Sequence, residues 1–453
     1  MSVNENNIDK KVTFNSLHMS DWILLIVIMI SNASAPMAFS CIAPFYNHVA
    51  FDKGLSLNES GIVFGVFNLL SCVASPFIGK FIPIFGTKRL FTYGLLFSAI
   101  GTFAFAFTIE IHDSDIFFYT SVILRLLQSL GNAMYFTCTF AIISKKFPEL
   151  SSSMLGFTET CAGIGYTLGP LFGGIFYDVG GYKLPFFVIG ILLSINVIVS
   201  YFYIVDEETD TCEEDTVFGF KELFVIKDIW FMFISVFLVG VLLAAHDPTL
   251  PVAVEKFNYT HSQIGLIFLI VGGSYSCFAP FLGTLIDKYS LTNYFLIFGN
   301  IGLIISCIIL GPAPFVPFEM NIYTISIALF LQGASAAALF VPCFKQCMYI
   351  VVKEHYYSDD MNTSGVVSGT FAGFFYLGAF LGPTVGAFLV ATFGYSSAIM
   401  IFGTFCTIYY ILFIIFYLIP RYMKSKQTGK INISEYEKKN NVSININDTK
   451  NIN

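Results

Sequence analysis

The chain has 453 residues, of which 56% are hydrophobic and 12% are charged, and its formal net charge is −7. Soluble domains carry about 25% charged residues, and the apolar residues of this chain lie in long runs. The composition therefore excludes a soluble globular protein and indicates lipid as the solvent for most of the chain.

Twelve apolar segments are long enough to cross a membrane, since a helical span needs roughly 20 residues. They cover residues 21–46, 60–82, 90–109, 115–144, 151–177, 184–205, 228–253, 262–286, 292–311, 321–351, 364–391 and 395–419. The polar segments between and around them predict five regions. These are an N-terminus (1–20), a six-helix half (21–205), an acidic linker (206–227), a second six-helix half (228–419) and a disordered tail (420–453).

The lysines and arginines predict the orientation of the spans. With both termini in the cytoplasm, 18 of the 23 basic residues fall in cytoplasmic segments, and only Lys53, Lys183 and Lys256 fall on the opposite side. Arg125 and Lys345 lie inside spans. Because cytoplasmic loops carry an excess of basic residues, we expect a multi-pass membrane protein with both termini in the cytoplasm.

The two halves repeat each other in sequence. A small-residue motif in span five recurs in span eleven at a constant offset of 213 residues. It comprises Gly165, Gly169 and Pro170, matched by Gly378, Gly382 and Pro383. Spans two and eight repeat at an offset of 204, from Gly79 to Gly283. The predicted fold class is therefore an all-α membrane protein with twelve transmembrane helices in two pseudo-symmetric halves, as in many secondary transporters.

These motifs resemble those of the major facilitator superfamily. The glycine-proline run of span five resembles its antiporter motif, and Arg125, Gln128 and Gly131 resemble its span-four motif. A third resemblance is the loop motif after span two and its second-half copy, formed by Gly79, Gly86, Lys88 and Arg89 and by Gly283 and Asp287. Pro83 replaces the acidic residue of the first copy, which puts the first-half charge contact in doubt.

A narrower resemblance is to the vesicular amine transporter family, and within it to the vesicular polyamine transporter branch. It is carried by residues 246–251 (HDPTLP) in span seven, residues 156–160 (GFTET) in span five and residues 381–384 (LGPT) in span eleven. The resemblance implies proton-coupled loading of organic cations into acidic vesicles. The carboxylates of the monoamine branch are absent from spans one and ten, and Ala372 stands where span eleven would carry one.

Three charged residues inside spans are the first candidates for the transport site. A charge at the bilayer centre costs at least about 2.5–3.5 kcal/mol, so it needs a partner or a function. Glu159 and Asp247 are candidate carboxylates for which protons and a cation would compete. Arg125 must pair or face water, and we expect Glu159 to be its partner because spans four and five are neighbours in sequence. A purely structural pair remains an alternative, and for Asp247 so does a position in water near the mouth of the span.

Polar residues near these charges are candidates for lining a cavity between the halves. They are Gln128, Asn132, Gln346, His246, Tyr135 and Tyr376. The tyrosines could stack on a cation, whereas for the amides helix packing is the favoured alternative. For Lys345 we expect a side chain that reaches the cytoplasmic interface.

The predicted function is proton-coupled antiport of a small organic cation, of the polyamine kind, across a vesicle or other acidic endomembrane or the plasma membrane. Two alternatives stay open: a transporter of another solute, such as a drug or an organic anion, and a transporter-like sensor. No P-loop, zinc signature or nucleophile motif occurs in the sequence. We therefore expect no enzymatic activity, cofactor, metal or nucleic-acid partner, and a monomer in the lipid bilayer.

Overall fold

The computed structural model describes residues 17–42, 45–55, 57–205, 218–254, 257, 261–311 and 320–423. The helices of the first half are α1 (Met19–Ser40), α2 (Tyr46–Asp52), α3 (Leu57–Phe85), α4 (Thr87–Phe105), α5 (Ser114–Lys146), α6 (Ser151–Gly180) and α7 (Lys183–Tyr203). Those that follow are α8 (Phe220–Val225), α9 (Lys227–Val254), α10 (His261–Tyr289), α11 (Thr292–Leu310), α12 (Ile322–Tyr349), α13 (Met361–Phe393) and α14 (Tyr395–Phe413). π-Helical turns extend α12 through Ile350–Glu354 and α14 through Ile414–Leu418.

Twelve of these helices are long, and they correspond one to one with the predicted spans. Eleven helices of the described chain are long and apolar enough to cross a membrane, and α6 is not among them. That helix carries three serines and Glu159 in its first nine residues, which lowers its hydropathy. The largest difference in helix limits lies in the first span, where α1 ends at Ser40 and a separate short helix, α2, begins at Tyr46.

The predicted linker is partly helical. Residues 206–217 lie outside the described residues, and α8 occupies residues that were assigned to the linker. The predicted tail also lies outside the described residues from position 424 onward. By its contacts the chain divides after Gly403 into two units, and in the second unit the rings of Phe413 and Tyr417 stack with centroids 4.9 Å apart.

The repeated glycine motif packs α6 against α1 and α13 against α9. A Cβ atom on Gly165 would come within 2.1 Å of the carbonyl oxygen of Ala33, and one on Gly378 within 2.2 Å of that of Phe237. The contacted residues, Ala33 and Phe237, are 204 positions apart, which is the offset found for the repeat of spans two and eight. The two packings are therefore copies of each other, and Pro170 and Pro383 lie inside helices that continue past them.

The contacts between the halves follow the same symmetry. A Cβ on Gly79 in α3 would meet the carbonyl oxygen of Gly365 in α13 at 2.0 Å. A Cβ on Gly283 in α10 would meet that of Ser152 in α6 at 2.2 Å. Since Gly283 is 204 residues after Gly79 and Gly365 is 213 after Ser152, these two seams between the halves are equivalent. The duplication predicted from sequence thus extends to three-dimensional contacts.

Candidate functional site

The halves meet at one end of the helices, which we call the linker end. It carries the α3–α4 turn at residue 86, the α5–α6 turn at 147–150, the α10–α11 turn at 290 and residues 355–360 before α13. Lys145 of the first half donates to the carbonyl oxygen of Asp359 in the second. Asn362 at the start of α13 donates to the carbonyl of Phe218 at 2.8 Å, which places the end of the linker there.

Asp287 joins the halves at the linker end. One of its carboxylate oxygens accepts hydrogen bonds from the backbone nitrogen and the hydroxyl of Ser153, at 2.7 and 2.6 Å. The other oxygen forms an ion pair with Lys345 of α12. Lys345 therefore does not simply extend to the interface, as its position in span ten suggested, because its ammonium group holds the carboxylate that contacts the opposite half.

The first copy of the loop motif has no carboxylate at the position equivalent to Asp287. Its acidic position is Pro83, and the position equivalent to Ser153 is Val366. Gly86 has φ +81°, a backbone conformation that favours glycine, at the turn before α4. Lys88 lies over the ring of Tyr201, 4.9 Å from its centroid, and Arg89 is exposed. The missing acid therefore leaves the α3–α13 seam held by close backbone packing.

A cluster of phenylalanines lies one layer deeper between the halves. We call it the phenylalanine cluster; its members are Phe136, Phe140, Phe340, Phe344, Phe371 and Phe375. Phe140 of the first half contacts Phe340, Phe344 and Phe371 of the second, with centroids 6.0, 4.9 and 5.7 Å apart. These rings form an apolar barrier above the linker-end contacts.

Glu159 lies on the far side of this barrier, at the seam between α6 and α10. Its side chain is only 6% exposed. One carboxylate oxygen, Oε2, accepts a hydrogen bond from the hydroxyl of Tyr275 in the opposite half at 2.9 Å. The other, Oε1, is buried without a hydrogen-bond partner. Next to this pair, the hydroxyl of Thr160 donates to the carbonyl of Ser276 at 2.7 Å, a second bond across the same seam.

Asn132, Tyr135 and Tyr376 lie in the same layer as Glu159. Asn132 donates to the hydroxyl of Tyr376 across the halves at 2.6 Å and accepts from the hydroxyl of Tyr135 at 2.9 Å. Tyr135 and Tyr376 are both within electrostatic reach of Glu159. The structure thus brings together four residues that were proposed from sequence. It adds Tyr275, which was not among the residues proposed from sequence.

Arg125 does not pair with Glu159, so the expected ion pair is wrong. The guanidinium is fully buried inside the first half, where it donates to the carbonyl of Phe39 at 3.0 Å and to the side chain of Gln128 at 2.9 Å. The rings of Phe39 and Phe105 lie 5.2 and 5.4 Å from it. Neighbouring spans need not face each other: Arg125 is directed toward α1, whereas Glu159 is directed toward α10. Gln128 and Asn132 also line a small cavity within this half.

Two further candidates, His246 and Gln346, do not lie in the Glu159 layer. His246 is buried and is hydrogen-bonded to Gln332 at 2.8 Å, within the second half. Gln332 is 204 residues after Gln128, so each half buries a glutamine at the same place. Gln346 is buried beside Lys345, close to the linker end. Asp247 belongs to α9, but its side chain lies outside the described residues, so its role stays a prediction.

The helix order, the duplicated seams and the buried carboxylate between the halves define a secondary transporter. The sequence model of the Major Facilitator Superfamily matches residues 28–252 and 232–443. The chain therefore belongs to the major facilitator superfamily, as its motifs predicted, and it is a transporter and not an enzyme.

Individual relatives agree with this assignment. The human "MFS-type transporter SLC18B1" is 30% identical over 408 residues, which are 90% of this chain and 88% of the relative. This similarity confirms the resemblance to the vesicular amine transporter family. "Multidrug resistance protein MdtG" of Dickeya zeae is 26% identical over 378 residues, covering 80% of this chain and 87% of the relative.

Solved structures show the same fold. The human organic anion transporter MFSD10 (TETRAN) superposes with a TM-score of 0.71 at 14% identity, covering 87% of this chain and all of that one. A bacterial homologue of the iron transporter ferroportin, in an outward-facing state, gives a TM-score of 0.68 at 13% identity over 88% of this chain and 99% of that one.

Proposed function

We propose that the protein exchanges protons for small organic cations, of the polyamine kind, by alternating access of a site between its halves. The observation that carries this proposal is Glu159, a buried carboxylate at the seam with one oxygen that lacks a partner. Intramembrane carboxylates are expensive and mark ion and substrate pathways. An ammonium group or a proton can neutralise Glu159 in turn, so the two would compete for one site.

The positions of the buried charges favour a cation over an anion. Arg125 is occupied inside the first half by Phe39 and Gln128, and Lys345 is paired with Asp287. Among the described residues this leaves Glu159 as the buried charge between the halves that lacks an oppositely charged partner. Tyrosine rings near a carboxylate also suit an ammonium group, which is attracted to aromatic faces.

The resemblance of the span-five and span-seven motifs to the vesicular polyamine transporter branch supports the same substrate class. The carboxylate that the monoamine branch carries in span eleven is absent here, since Ala372 stands at that position. Ala372 is fully buried in α13 near the phenylalanine cluster. A substrate with several ammonium groups would need a second anionic group, and we propose Asp247 for that role.

The orientation and location are also part of the proposal. From the distribution of basic residues we infer that both termini and the linker end face the cytoplasm. Lys53, bonded to the carbonyl of Ile109, and Lys183, paired with Glu110, lie together at the opposite end. In this orientation the structure is closed toward the cytoplasm. We propose that the protein works as a monomer, in the membrane of an acidic vesicle or in the plasma membrane.

Export of drug-like compounds is the second candidate, favoured by the similarity to MdtG. Competition distinguishes the two: a polyamine transporter should be inhibited by spermine far more strongly than by a hydrophobic monovalent cation. The reverse order of inhibition would favour a drug exporter.

The test is transport by purified protein in liposomes with an acidic interior. We expect uptake of labelled spermidine that collapses when the pH gradient is dissipated. Glu159→Gln should abolish gradient-driven uptake, whereas the matched control Glu110→Gln, on the exposed end of a surface ion pair, should leave it unchanged. Uptake that ignores the gradient, or normal coupled uptake by Glu159→Gln, would contradict the proposal.

A further inference from the structure

We propose that Tyr275 is a positioning residue for cation binding, holding one oxygen of Glu159 so that the carboxylate stays ionised and its other oxygen is free to bind an ammonium group. This inference rests on the proposed role of Glu159 and deepens it. It assigns separate tasks to the two carboxylate oxygens and a task to a tyrosine of the opposite half.

The first step of the argument is the hydrogen-bond inventory of the carboxylate. An ionised carboxylate can accept about four hydrogen bonds, yet Glu159 receives one, from Tyr275 to Oε2 at 2.9 Å. Oε1 is buried with no partner. A buried, unpartnered charged atom is costly, so the arrangement is incomplete until a donor arrives. A protonated amine supplies both the donor and the opposite charge.

The second step concerns the surroundings of Glu159 on every packed helix. Titratable groups within its electrostatic reach are Tyr275 on α10, Tyr135 on α5, Tyr376 on α13 and Cys161 on α6 itself. All of them are neutral at physiological pH in their usual state. No described lysine or arginine pairs with Glu159, so the carboxylate depends on the Tyr275 hydroxyl and on its ligand.

The third step is that the hydrogen bond crosses the halves. Because Tyr275 belongs to α10 and Glu159 to α6, the bond exists only while this seam is closed. A hydroxyl donates more strongly to a carboxylate than to a neutral carboxylic acid. Loss of the hydroxyl should therefore disfavour the ionised, binding-competent form in the closed state, and much less the protonated form.

The chain offers a matched control for this idea. Tyr376 also forms a hydrogen bond across the halves, but its partner is the uncharged Asn132, at 2.6 Å. Tyr275→Phe and Tyr376→Phe each remove one hydroxyl and keep the ring, so the packing against Phe340 and Phe136 is retained. Only the first removes a donor to a titratable group.

The test is spermidine binding to the purified protein between about pH 5 and pH 9. Tyr275→Phe should move the midpoint of binding upward by about one pH unit, the value expected for one hydrogen bond to a charged group. Tyr376→Phe should leave the midpoint in place, whatever it does to affinity. An unchanged midpoint in Tyr275→Phe, or an equal shift in both variants, would overturn the inference.

A second readout needs no substrate, so it separates this inference from the proposed function. Ser152→Cys places a thiol at the closed seam, where Ser152 is fully buried, and its labelling rate reports opening. Peptide mass spectrometry distinguishes it from the native cysteines. Tyr275→Phe should accelerate labelling by about tenfold at high pH and far less at low pH, whereas Tyr376→Phe should act equally at both. A pH-independent effect of Tyr275→Phe refutes the positioning role even if spermidine proves to be the wrong substrate.

Discussion

The carboxylate of Asp287 accepts two hydrogen bonds from Ser153, one from the backbone nitrogen and one from the hydroxyl, across the two halves of the transporter. The ion pair with Lys345 fixes the same carboxylate from its own half. This contact and the close backbone packing of Gly283 against Ser152 hold one seam of the linker end.

Removing the Asp287 carboxylate should open the linker end. Asp287→Ala deletes two hydrogen bonds to a charged acceptor, each worth about 1.5–3 kcal/mol, so the open population should rise by at least about tenfold. Thiol labelling of Ser152→Cys measures it. Lys345→Met, which keeps the acceptor but removes its partner, should have a smaller effect. Equal labelling of Asp287→Ala and the parent would contradict this role of the carboxylate.

The repeated glycines should tolerate no side chain. In Gly165→Ala the new methyl group would lie 2.1 Å from the carbonyl of Ala33, so α6 must move away from α1. Overpacking of this kind costs about 1–3 kcal/mol, and we expect a lower Tm in detergent. Gly65→Ala is the control, because a methyl group there meets nothing within 4 Å. A Tm loss as large at Gly65 would mean that helix propensity, and not the close approach, decides.

Arg125 should matter for folding more than for coupling. Its guanidinium bonds within the first half to Phe39 and Gln128, so Arg125→Met leaves these groups without a donor. Each buried acceptor left without a donor costs about 1–3 kcal/mol, and we expect a marked loss of Tm and yield. In the protein that does fold, the pH midpoint of transport should match the parent. A shifted midpoint with normal Tm would instead place Arg125 in the coupling machinery.

The phenylalanine cluster should be the seal against leaks. Phe140→Ala removes a ring that contacts three phenylalanines of the opposite half. The expected result is a substrate-independent proton flux in liposomes, measured with a pH-sensitive dye. Phe140→Leu should leak less, because it keeps most of the apolar volume. Phe388→Ala, on a side chain that is 67% exposed, is the control at the outer surface. If Phe140→Ala shows no increase in proton flux, the phenylalanine cluster is not the barrier to leaks.

Much of the fold could be predicted from the sequence because its determinants are local or periodic. Twelve apolar runs gave the spans, and Gly165 and Gly378 revealed the duplication, since only glycine permits such close helix contact. The facing directions of the helices were not predictable in this way. Arg125 and Glu159 lie on consecutive spans, yet each is directed toward a different helix, because the rotation of a helix about its axis depends on all its neighbours.

The site could be predicted only in part, because only some of its residues are unusual in an apolar sequence. Glu159 stands out because a carboxylate is rare in an apolar run. Tyr275 does not stand out, since tyrosine is common in this chain and its value comes from the partner across the seam. The repeat contained a usable signal: Tyr275 and Glu159 are equivalent to Ser71 and Ala372. Positions where two copies of a repeat differ in polarity mark where one copy has acquired a role.

The linker end has a consequence for how this lineage can change. Gene duplication supplied two equivalent seams. One of them has a charged contact between Asp287 and Ser153, whereas the other has Pro83 and Val366 at the equivalent positions. One charged contact suffices if the helices of each half move as a rigid unit, so the seam with Pro83 is released from selection for charge. Substitutions at Pro83 should then accumulate freely among descendants, while those at Asp287 are purged. Redundancy inherited from the ancestor has become room for divergence on one side of the molecule.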